Sequence, residues 1–501
     1  MRNKKLATAG LSSALLMMSA AAVLAAPGGS TGPTSSQSPY LVRTRPGIVT
    51  TSILTTGDTV GGYTMAGIPD GLGAFDNGNG TFTVLMNHEL GNTLGVVRDH
   101  GAIGAFVSKW IIEKKSLKVV SGEDLIQTQV LTSGSAALNR LCSADLPEVS
   151  AFYNEETGLG TKDRIFMNGE ESGTEGRAFG NVVTGPDAGT SYELPYLGKF
   201  AWENSVAMPD SGDKTIVVGL DDGTGGQVYV YVGDKQATGN TVEKAGLTNG
   251  VLYGVKVNGV PTENDATSLP AGGASFTLVP LGDVSAKTGA QLNSESVAAG
   301  VTTFARPEDG SWDPSDDQNF YFATTASFTG VSRVWKLSFD EIDDDSHESD
   351  DHESDHSSNG VTGGKAAIAV QGPAYDPTKS SADQAGPRMM DNLTVNSRGQ
   401  VIIQEDVGNQ DYIGGVFQYE PKNGNVQRIA QHDPARFTPG TPPPAGFLTR
   451  DEESSGVIPV PFLGEGKYLL DVQAHYSTGD PKTVEGGQLL LINIPPGKPV
   501  R

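Results

Sequence analysis

The hydrophobic and polar positions of this chain alternate over short runs, and no run keeps a helical period. The segments 81–86 (TFTVLM) and 227–232 (QVYVYV) place an apolar residue at every second position, as strands with one buried face do. An Asp-Asn-Gly-Asn-Gly stretch separates 71–75 from 81–86 and predicts a hairpin. Many such runs, divided by glycine, asparagine and proline, predict an all-β sandwich, barrel or propeller.

Three segments are predicted to lie outside this core. Residues 1–25 combine a basic start, an apolar stretch and a small-residue cleavage site, which indicates a secretory signal peptide and a secreted or periplasmic protein. Residues 26–44, rich in serine, proline and glycine, are expected to form a flexible lead-in. Residues 45–497 are predicted to be one domain, interrupted by an acidic low-complexity loop over 343–360.

The charge of the chain restricts its partners. The formal net charge is −24, from 35 lysine and arginine residues against 59 aspartate and glutamate residues. This charge argues against binding nucleic acid through a basic face. If the protein acts on an anion, bound cations or buried arginines have to reverse the field locally. After the first 25 residues, no apolar run is long enough to span a membrane.

The chain contains a single cysteine, Cys142, so no internal disulfide can form. This side chain can be a small buried hydrophobic group. It can also be a thiolate ligand to a metal ion or a nucleophile. The surrounding sequence leaves these alternatives open.

Acidic residues directly follow several predicted strands. In a propeller the corresponding strand ends face one mouth of the central channel, where carboxylates repel each other unless cations neutralise them. Oxygen ligands suit calcium, and an added thiolate or histidine suits a transition metal. Alternatively, a chain this acidic places carboxylates after strands by chance. The acidic residues in question are Glu89, Glu170, Glu171, Asp221, Asp222, Glu405 and Asp406.

The chain also resembles a known family through an ordered set of short motifs. It is similar to the PhoX-type alkaline phosphatases, which are calcium- and iron-dependent enzymes with a β-propeller fold. The set covers most of the chain after residue 25, and the resemblance implies a six-bladed propeller with long inserted loops. The matching motifs are Asn87-His88-Glu89, Cys142, Glu170-Glu171, 198–203 (GKFAWE), Asp221-Asp222, 304–308 (FARPE), Asp391-Asn392, Glu405-Asp406, 453–456 (ESSG) and 473–475 (QAH).

The resemblance implies a role for each matching residue. Cys142 would be a thiolate that bridges two ferric ions. Arg306 would contact the phosphate oxygens, and Asn392 would contact either the phosphate or a metal ion. The carboxylate ligands to iron or calcium would be Glu170 or Glu171, Glu203, Asp221 or Asp222, Glu308 and Asp391, with Asp406 and Glu89 as further candidates.

The function expected from the sequence is hydrolysis of small phosphate monoesters by a secreted, monomeric, metal-dependent phosphatase that holds calcium and iron. One alternative is a non-catalytic propeller, stabilised by calcium, that acts as a binding module. Another alternative is a hydrolase of the same fold with a different substrate, such as a lactone or a phosphodiester.

Overall fold

The computed structural model describes residues 28–340, 362–440 and 443–495 of the 501 residues. The predicted signal peptide and the predicted acidic loop over 343–360 lie outside the described residues. Strands dominate the described part, and the prediction of an all-β protein is confirmed. No helix in the described ranges is long and apolar enough to cross a membrane.

The first half of the chain supplies three groups of strands. The N-terminal strands are β1 (Gly29–Thr31), β2 (Leu41–Arg43), β3 (Val49–Thr55), β4 (Thr59–Val60) and β5 (Tyr63–Thr64). A meander in the order β6-β7-β8-β9 follows, with β6 (Pro69–Asp76), β7 (Thr81–His88), β8 (Phe106–Glu113) and β9 (Val119–Asp124). The next sheet has the order β10-β13-β12-β11, with β10 (Thr128–Val130), β11 (Ile165–Gly169), β12 (Ala178–Val182) and β13 (Thr190–Glu193).

A nine-stranded sheet occupies the middle of the chain, in the order β14-β15-β16-β17-β18-β22-β21-β20-β19. Two meanders form it, and they join where β18 pairs with β22. The first meander contains β14 (Trp202–Ala207), β15 (Lys214–Asp221), β16 (Val228–Asp234), β17 (Val251–Val257) and β18 (Ala274–Gly282). The second contains β19 (Pro307–Trp312), β20 (Asn319–Thr324), β21 (Arg333–Phe339) and β22 (Gly363–Gln371).

The last two sheets combine strands from both ends of the chain. Strand β2 completes one sheet in the order β2-β26-β25-β24-β23, and β1 and β3 complete the other in the order β1-β3-β29-β28-β27. The strands of the first are β23 (Met390–Val395), β24 (Val401–Glu405), β25 (Gly415–Glu420) and β26 (Asn425–His432). Those of the second are β27 (Glu452–Pro459), β28 (Lys467–Ser477) and β29 (Glu485–Asn493).

Helices are few and short. The α-helices are α1 (Thr241–Lys244), α2 (Gly289–Ala299) and α3 (Pro434–Phe437). Single 3₁₀ turns occupy Val149–Ala151, Gly173–Glu175, Pro195–Leu197, Ser381–Asp383 and Pro461–Leu463.

The first strands of successive meanders pack against one another. Strand β27 contacts β6, β11 contacts β14, β14 contacts β19, β19 contacts β23, and β23 contacts β27. A side-chain hydrogen bond of 2.9 Å from Asn168 to Asn87 links the sheet of β11 to that of β7. Meanders that meet along their first strands in this way surround a common axis, as the blades of a propeller do. The count of six blades stays a prediction.

Local sequence explains the predicted hairpin between β6 and β7. Asp76 accepts a hydrogen bond of 2.8 Å from the amide of Gly78, and both Gly78 and Gly80 have a positive φ. Glycine adopts this backbone conformation without steric cost, so the Asp-Asn-Gly-Asn-Gly stretch closes the turn. The hairpin prediction is therefore confirmed.

The prediction of a flexible lead-in over 26–44 is wrong for the described part of that segment. Strand β1 pairs in parallel with β3, and β2 pairs with β26. Tyr40 and Leu41 are 1% and 0% exposed. Burial of these two large side chains outweighs the loop-like composition around them, since apolar area removed from water stabilises the folded chain.

Helix α2 was not expected from the sequence, which showed no helical period in 233–300. Thr288 and Gln291 form a reciprocal capping box at its start, and Gly300 ends it in a left-handed conformation. Both end signals are local and can be read from the sequence. Only Gly289, Leu292 and Ser296 of this helix are buried, and Leu292 is the only large apolar side chain among them. The two faces of α2 therefore differ little in hydrophobicity, which is why the periodicity of the sequence did not predict it.

Candidate metal centre

A β-bulge interrupts the first strand of four meanders, and each bulge contains a carboxylate. The pairing register shifts at Asp70 in β6, Glu203 in β14, Glu308 in β19 and Asp391 in β23. An extra residue at such a position breaks the in-and-out alternation and re-aims its side chain. The four bulges therefore turn acidic side chains from four separate meanders toward one another.

These four carboxylates, together with Glu89, Glu171 and Cys142, form three overlapping groups. Within each group, one ligand atom from each residue lies within 4.8 Å of the others. Cys142 belongs to the first and second groups, and Glu203 belongs to the second and third. The groups are Asp70, Glu89 and Cys142; Cys142, Glu171 and Glu203; and Glu203, Glu308 and Asp391.

The electrostatics of the cluster are unfavourable without added positive charge. Burial, followed by the charge of neighbouring carboxylates, raises the pKa values of Asp70, Glu203, Glu308 and Asp391 well above their ordinary value. The same two causes, in the same order, raise the pKa of the Cys142 thiol. Buried carboxyl groups this close cannot all ionise unless cations neutralise them.

Unsatisfied oxygen atoms show that the cluster fits metal ions. Glu308 Oε1 and Asp222 Oδ1 are buried without a hydrogen-bond partner in the described structure. The Cys142 thiol lies 3.2 Å from Glu171 Oε2. Carboxylate oxygens suit calcium, and a thiolate beside carboxylates suits a transition metal. The donor set therefore matches both kinds of cation.

Two arginines contact the outer side of the cluster. Arg140 donates to Glu89 Oε1 from Nε at 2.7 Å, and its Nη2 also contacts Glu171. Arg306 lies 2.7 Å from Asp222 and 3.4 Å from Glu308 through Nη2. The side chains of Arg140 and Arg306 are 49% and 36% exposed, so each guanidinium can also reach a ligand from solvent.

Ser143 and Asn392 form a polar layer that is hydrogen-bonded to Glu203 of the cluster. The Ser143 hydroxyl donates to Glu203 at 2.6 Å and accepts from the Asn392 amide at 2.7 Å. Asn392 Oδ1 is buried and has no partner within the described residues. The side-chain N–H of Asn392 is therefore used by Ser143, and its Oδ1 can accept from or coordinate a further ligand.

The structure does not bring Glu170 into the cluster. Its carboxylate forms two hydrogen bonds with the guanidinium of Arg177, of 2.6 and 2.8 Å, and both side chains are buried. Glu171, one residue on, contacts Arg140 and Cys142 instead. Burial raises the pKa of Glu171 to about 7, and the nearby Glu89 charge adds to the rise while Arg140 opposes it.

Asp221 also lies apart from the cluster, although its neighbour Asp222 contacts Arg306. The Asp221 carboxylate accepts hydrogen bonds from the backbone amides of Ala201, Gly223 and Gln227. Its role is to hold the turn after β15. Burial raises its pKa to about 6, against the effect of these bonds.

Asp406 lies at the edge of the cluster. Burial, with the charge of Glu453, raises the pKa of Asp406 to about 7, and its own charge helps to raise the pKa of Asp391. It accepts a hydrogen bond of 2.9 Å from the amide of Gly408. Its neighbour Glu405 is turned away, toward Arg428 and Tyr412.

The sequence-based reasoning missed Asp70 and Arg140. A signal for Asp70 exists, since Pro69-Asp70-Gly71 in β6 resembles 307–310 (PEDG) in β19, and both mark a bulge in a first strand. Gly71 is required there, because a Cβ at this position would lie 2.4 Å from the backbone nitrogen of Ala144. Arg140 carries no comparable signal.

Comparisons with known proteins agree with this architecture. Residues 153–455 match the family described as alkaline phosphatase PhoX. The PhoX structure from Pseudomonas fluorescens, in complex with the transition state analogue vanadate, has a TM-score of 0.55 at 13% identity, covering 89% of this chain and 95% of that chain. This similarity shows a shared fold.

Two further structures are less similar. A putative TolB from Agrobacterium tumefaciens has a TM-score of 0.32 at 11% identity, covering 74% of this chain and 84% of that chain. The β-propeller domain of the Trilobed protease from Pyrococcus furiosus has a TM-score of 0.28 at 7% identity, covering 82% and 93%. No curated protein matches. Because the family match spans more than half of the chain, this protein belongs to the PhoX alkaline phosphatase family.

Proposed function

We propose that this protein hydrolyses phosphate monoesters at the buried cluster, with calcium and iron as its cations. The observation that carries the proposal is the pairing of a carboxylate and thiol cluster, which needs added positive charge, with two arginines that reach solvent. Arginine matches the geometry of phosphate oxygens through its planar fork of N–H donors. Membership of the PhoX family agrees with this chemistry.

The residues proposed to hold the cations are those that the bulges and the adjoining loops aim at the axis. When bound, the cations supply Lewis-acid charge that neutralises the phosphate and stabilises charge as it builds during transfer. Cys142 favours iron as one of them, and the carboxylates favour calcium. The proposed ligands are Asp70, Glu89, Cys142, Glu171, Glu203, Asp222, Glu308 and Asp391, with Asp406 at the edge.

Arg306 and Asn392 are the proposed catalytic contacts of the chain itself. In this proposal the half-exposed guanidinium of Arg306 holds two phosphoryl oxygens and stabilises their charge in the transition state. Asn392 offers its unpartnered Oδ1 to a cation or, with the amide rotated, an N–H to the phosphate. We propose a small phosphorylated substrate, a secreted or periplasmic location, and a monomer.

The test combines elemental analysis with turnover of a chromogenic phosphate monoester. We expect the purified protein to contain iron and calcium and to lose activity after chelation. Glu203→Gln should lower kcat/KM at least about 100-fold because it removes a carboxylate shared by two groups. Glu123→Gln, at a site where the carboxylate is exposed and paired with Lys109, is the matched control and should leave kcat/KM unchanged.

Other outcomes would favour the alternatives. Calcium without iron, and no turnover by a protein of normal thermal stability, would replace the phosphatase with a calcium-stabilised binding module. Turnover of a lactone or a phosphodiester, without turnover of the monoester, would point to another hydrolase of this fold.

A further inference from the structure

A cavity lies beside the cluster, and no residue of the three groups lines it. Its volume is about 310 Å³, which is room for roughly ten water molecules. Apart from Ala137, the side chains that line it are polar or charged, with Gly134 as a backbone contribution. The polar and charged lining residues are Asn92, Ser133, Ser135, Asn139, Glu170, Ser172, Glu175, Arg177 and Lys199.

The cavity and the cluster share a wall. Two neighbouring segments form it, since the amide of Glu171 donates to the carbonyl of Arg140 at 2.9 Å and Leu141 bridges to Glu170. On one side of this wall, Asn139 and Glu170 line the cavity. On the other side, Arg140 and Glu171 contact the cluster. Adjacent Cα atoms are about 3.8 Å apart, so the backbone positions that line the cavity are next to those that contact the cluster.

Lys199 is a cation in this cavity with unused hydrogen-bonding capacity. Its backbone pairs with that of Arg177, and its half-buried ammonium donates to the Ser133 hydroxyl at 3.1 Å. Among the residues that the structure describes, no carboxylate lies within 4.0 Å of it. An ammonium can donate three hydrogen bonds, so two remain for a ligand.

The surroundings of Lys199 are already held in place. The Ser133 hydroxyl donates to Glu193, and the amides of Thr132 and Ser133 donate to the same carboxylate at 2.7 and 2.8 Å. Arg177, in contrast, uses four of its five N–H donors on Glu170 and on the backbone carbonyls of Ser133 and Ser135. A site that is ordered before binding loses less entropy when a ligand arrives.

We propose that this cavity binds the leaving group of the substrate, and that this group is rich in hydroxyls, as in a sugar or polyol phosphate. The proposal rests on the phosphatase function proposed above. Hydroxyl groups both donate and accept, which suits the mixture of asparagine, serine, glutamate and lysine side chains. No aromatic side chain lines the described cavity, so an aromatic leaving group finds no apolar contact there.

The test compares two substrates in the metal-loaded, full-length mature protein. Lys199→Met keeps the aliphatic stem and removes the donors. We expect it to lower kcat/KM for glucose 6-phosphate about tenfold and that for p-nitrophenyl phosphate less than about twofold. Comparing each variant with the wild type on the same substrate cancels the different reactivities of the two leaving groups.

Two further variants make the result specific. Lys422→Met removes an exposed lysine in a turn and should leave both substrates unaffected, which controls for the change in net charge. Ala137→Phe fills the cavity and should repeat the selective loss for glucose 6-phosphate, provided that its thermal midpoint stays normal.

The outcomes separate this inference from the function on which it rests. If the wild type cleaves both substrates and Lys199→Met affects both equally, or affects neither, the leaving-group site is refuted and the phosphatase stands. If the wild type cleaves no phosphate monoester, the proposed function fails and the inference fails with it.

Discussion

At the residue scale, Glu170 and Glu171 show how neighbouring carboxylates can differ in purpose. Glu170 neutralises Arg177, and both side chains are buried. Glu171 contacts Arg140 and the Cys142 thiol, and thus belongs to the cluster. Glu170 has a counter-charge within the chain, whereas the buried group that contains Glu171 needs an added cation to neutralise it.

This contrast predicts opposite phenotypes for two identical substitutions. Glu171→Gln should lower metal content and phosphatase kcat/KM, the latter at least about 100-fold, and should lower the thermal midpoint only as far as the loss of metal does. Glu170→Gln leaves a buried guanidinium without its full counter-charge and should cost about 3–5 kcal/mol of stability. Thermal denaturation and elemental analysis of both variants test this. Equal loss of metal in the two variants would contradict it.

Asp471 is a buried carboxyl whose two oxygens have no hydrogen-bond partner among the described residues. Burial, with the charge of Glu453, raises its pKa well above the ordinary value. The folded state therefore keeps a proton that the unfolded state releases above about pH 4. Its contribution to stability is greatest below that pH and falls as the pH rises, by at most about 1.4 kcal/mol per pH unit.

Asp471→Asn removes this titration and keeps the shape of the side chain. We expect the thermal midpoint of the wild type to fall more steeply than that of the variant between pH 4 and pH 8. Melting curves at matched metal concentration measure the difference. Parallel pH profiles would show that Asp471 does not titrate in this range.

At the scale of elements, the bulges in β6, β14, β19 and β23 position the centre. A regular strand alternates its side chains between two faces, so a bulge is needed to re-aim an acidic residue without turning over the whole strand. The same bulge in four meanders brings carboxylates toward the axis from four directions.

Strand β2 should contribute to the stability of the fold through its buried residue Leu41. Leu41 is fully buried and Val42, the next residue, is half-buried. Leu41→Ala should cost about 2–5 kcal/mol, because it leaves a cavity beneath the sheet of β26. Val42→Ala is the matched control and should cost less than about 1 kcal/mol. If denaturation curves of the two variants coincide, the N-terminal segment does not belong to the cooperative fold.

At the scale of the whole molecule, the cluster joins sheets that are far apart in sequence. Asp70 and Asp391 lie on first strands separated by more than half of the chain. Cations bound between them would cross-link the sheets and resist their separation. Ligands that bind only the folded state stabilise it, by about 2.7 kcal/mol when present at 100 times their dissociation constant.

Metal removal should therefore destabilise the fold as well as abolish activity. Metal-free protein, prepared by chelation and dialysis, should melt several degrees below the metal-loaded protein at pH 8. The gap should narrow at pH 5, because protonation of the carboxyl groups relieves their repulsion and weakens metal binding. Calorimetry of both forms at the two pH values tests this, and identical midpoints at pH 8 would contradict it.

Much of the fold followed from local patterns. The hairpin of β6 and β7 and the strand β16 were predictable because alternation and turn residues act between near neighbours. The pairing of β2 with β26 was not, since a short strand in a serine-rich segment is stabilised only by a partner almost 400 residues away.

The sequence by itself determined that this is an all-β chain with acidic residues after its strands and a single cysteine, because these properties depend on residue type and local order. Only the tertiary structure decided which carboxylates meet. Bulges, together with the pairing of Glu170 with Arg177 and of Asp221 with backbone amides, select Glu171 and Asp222 from their neighbours. That selection depends on contacts between sheets, which no local pattern encodes.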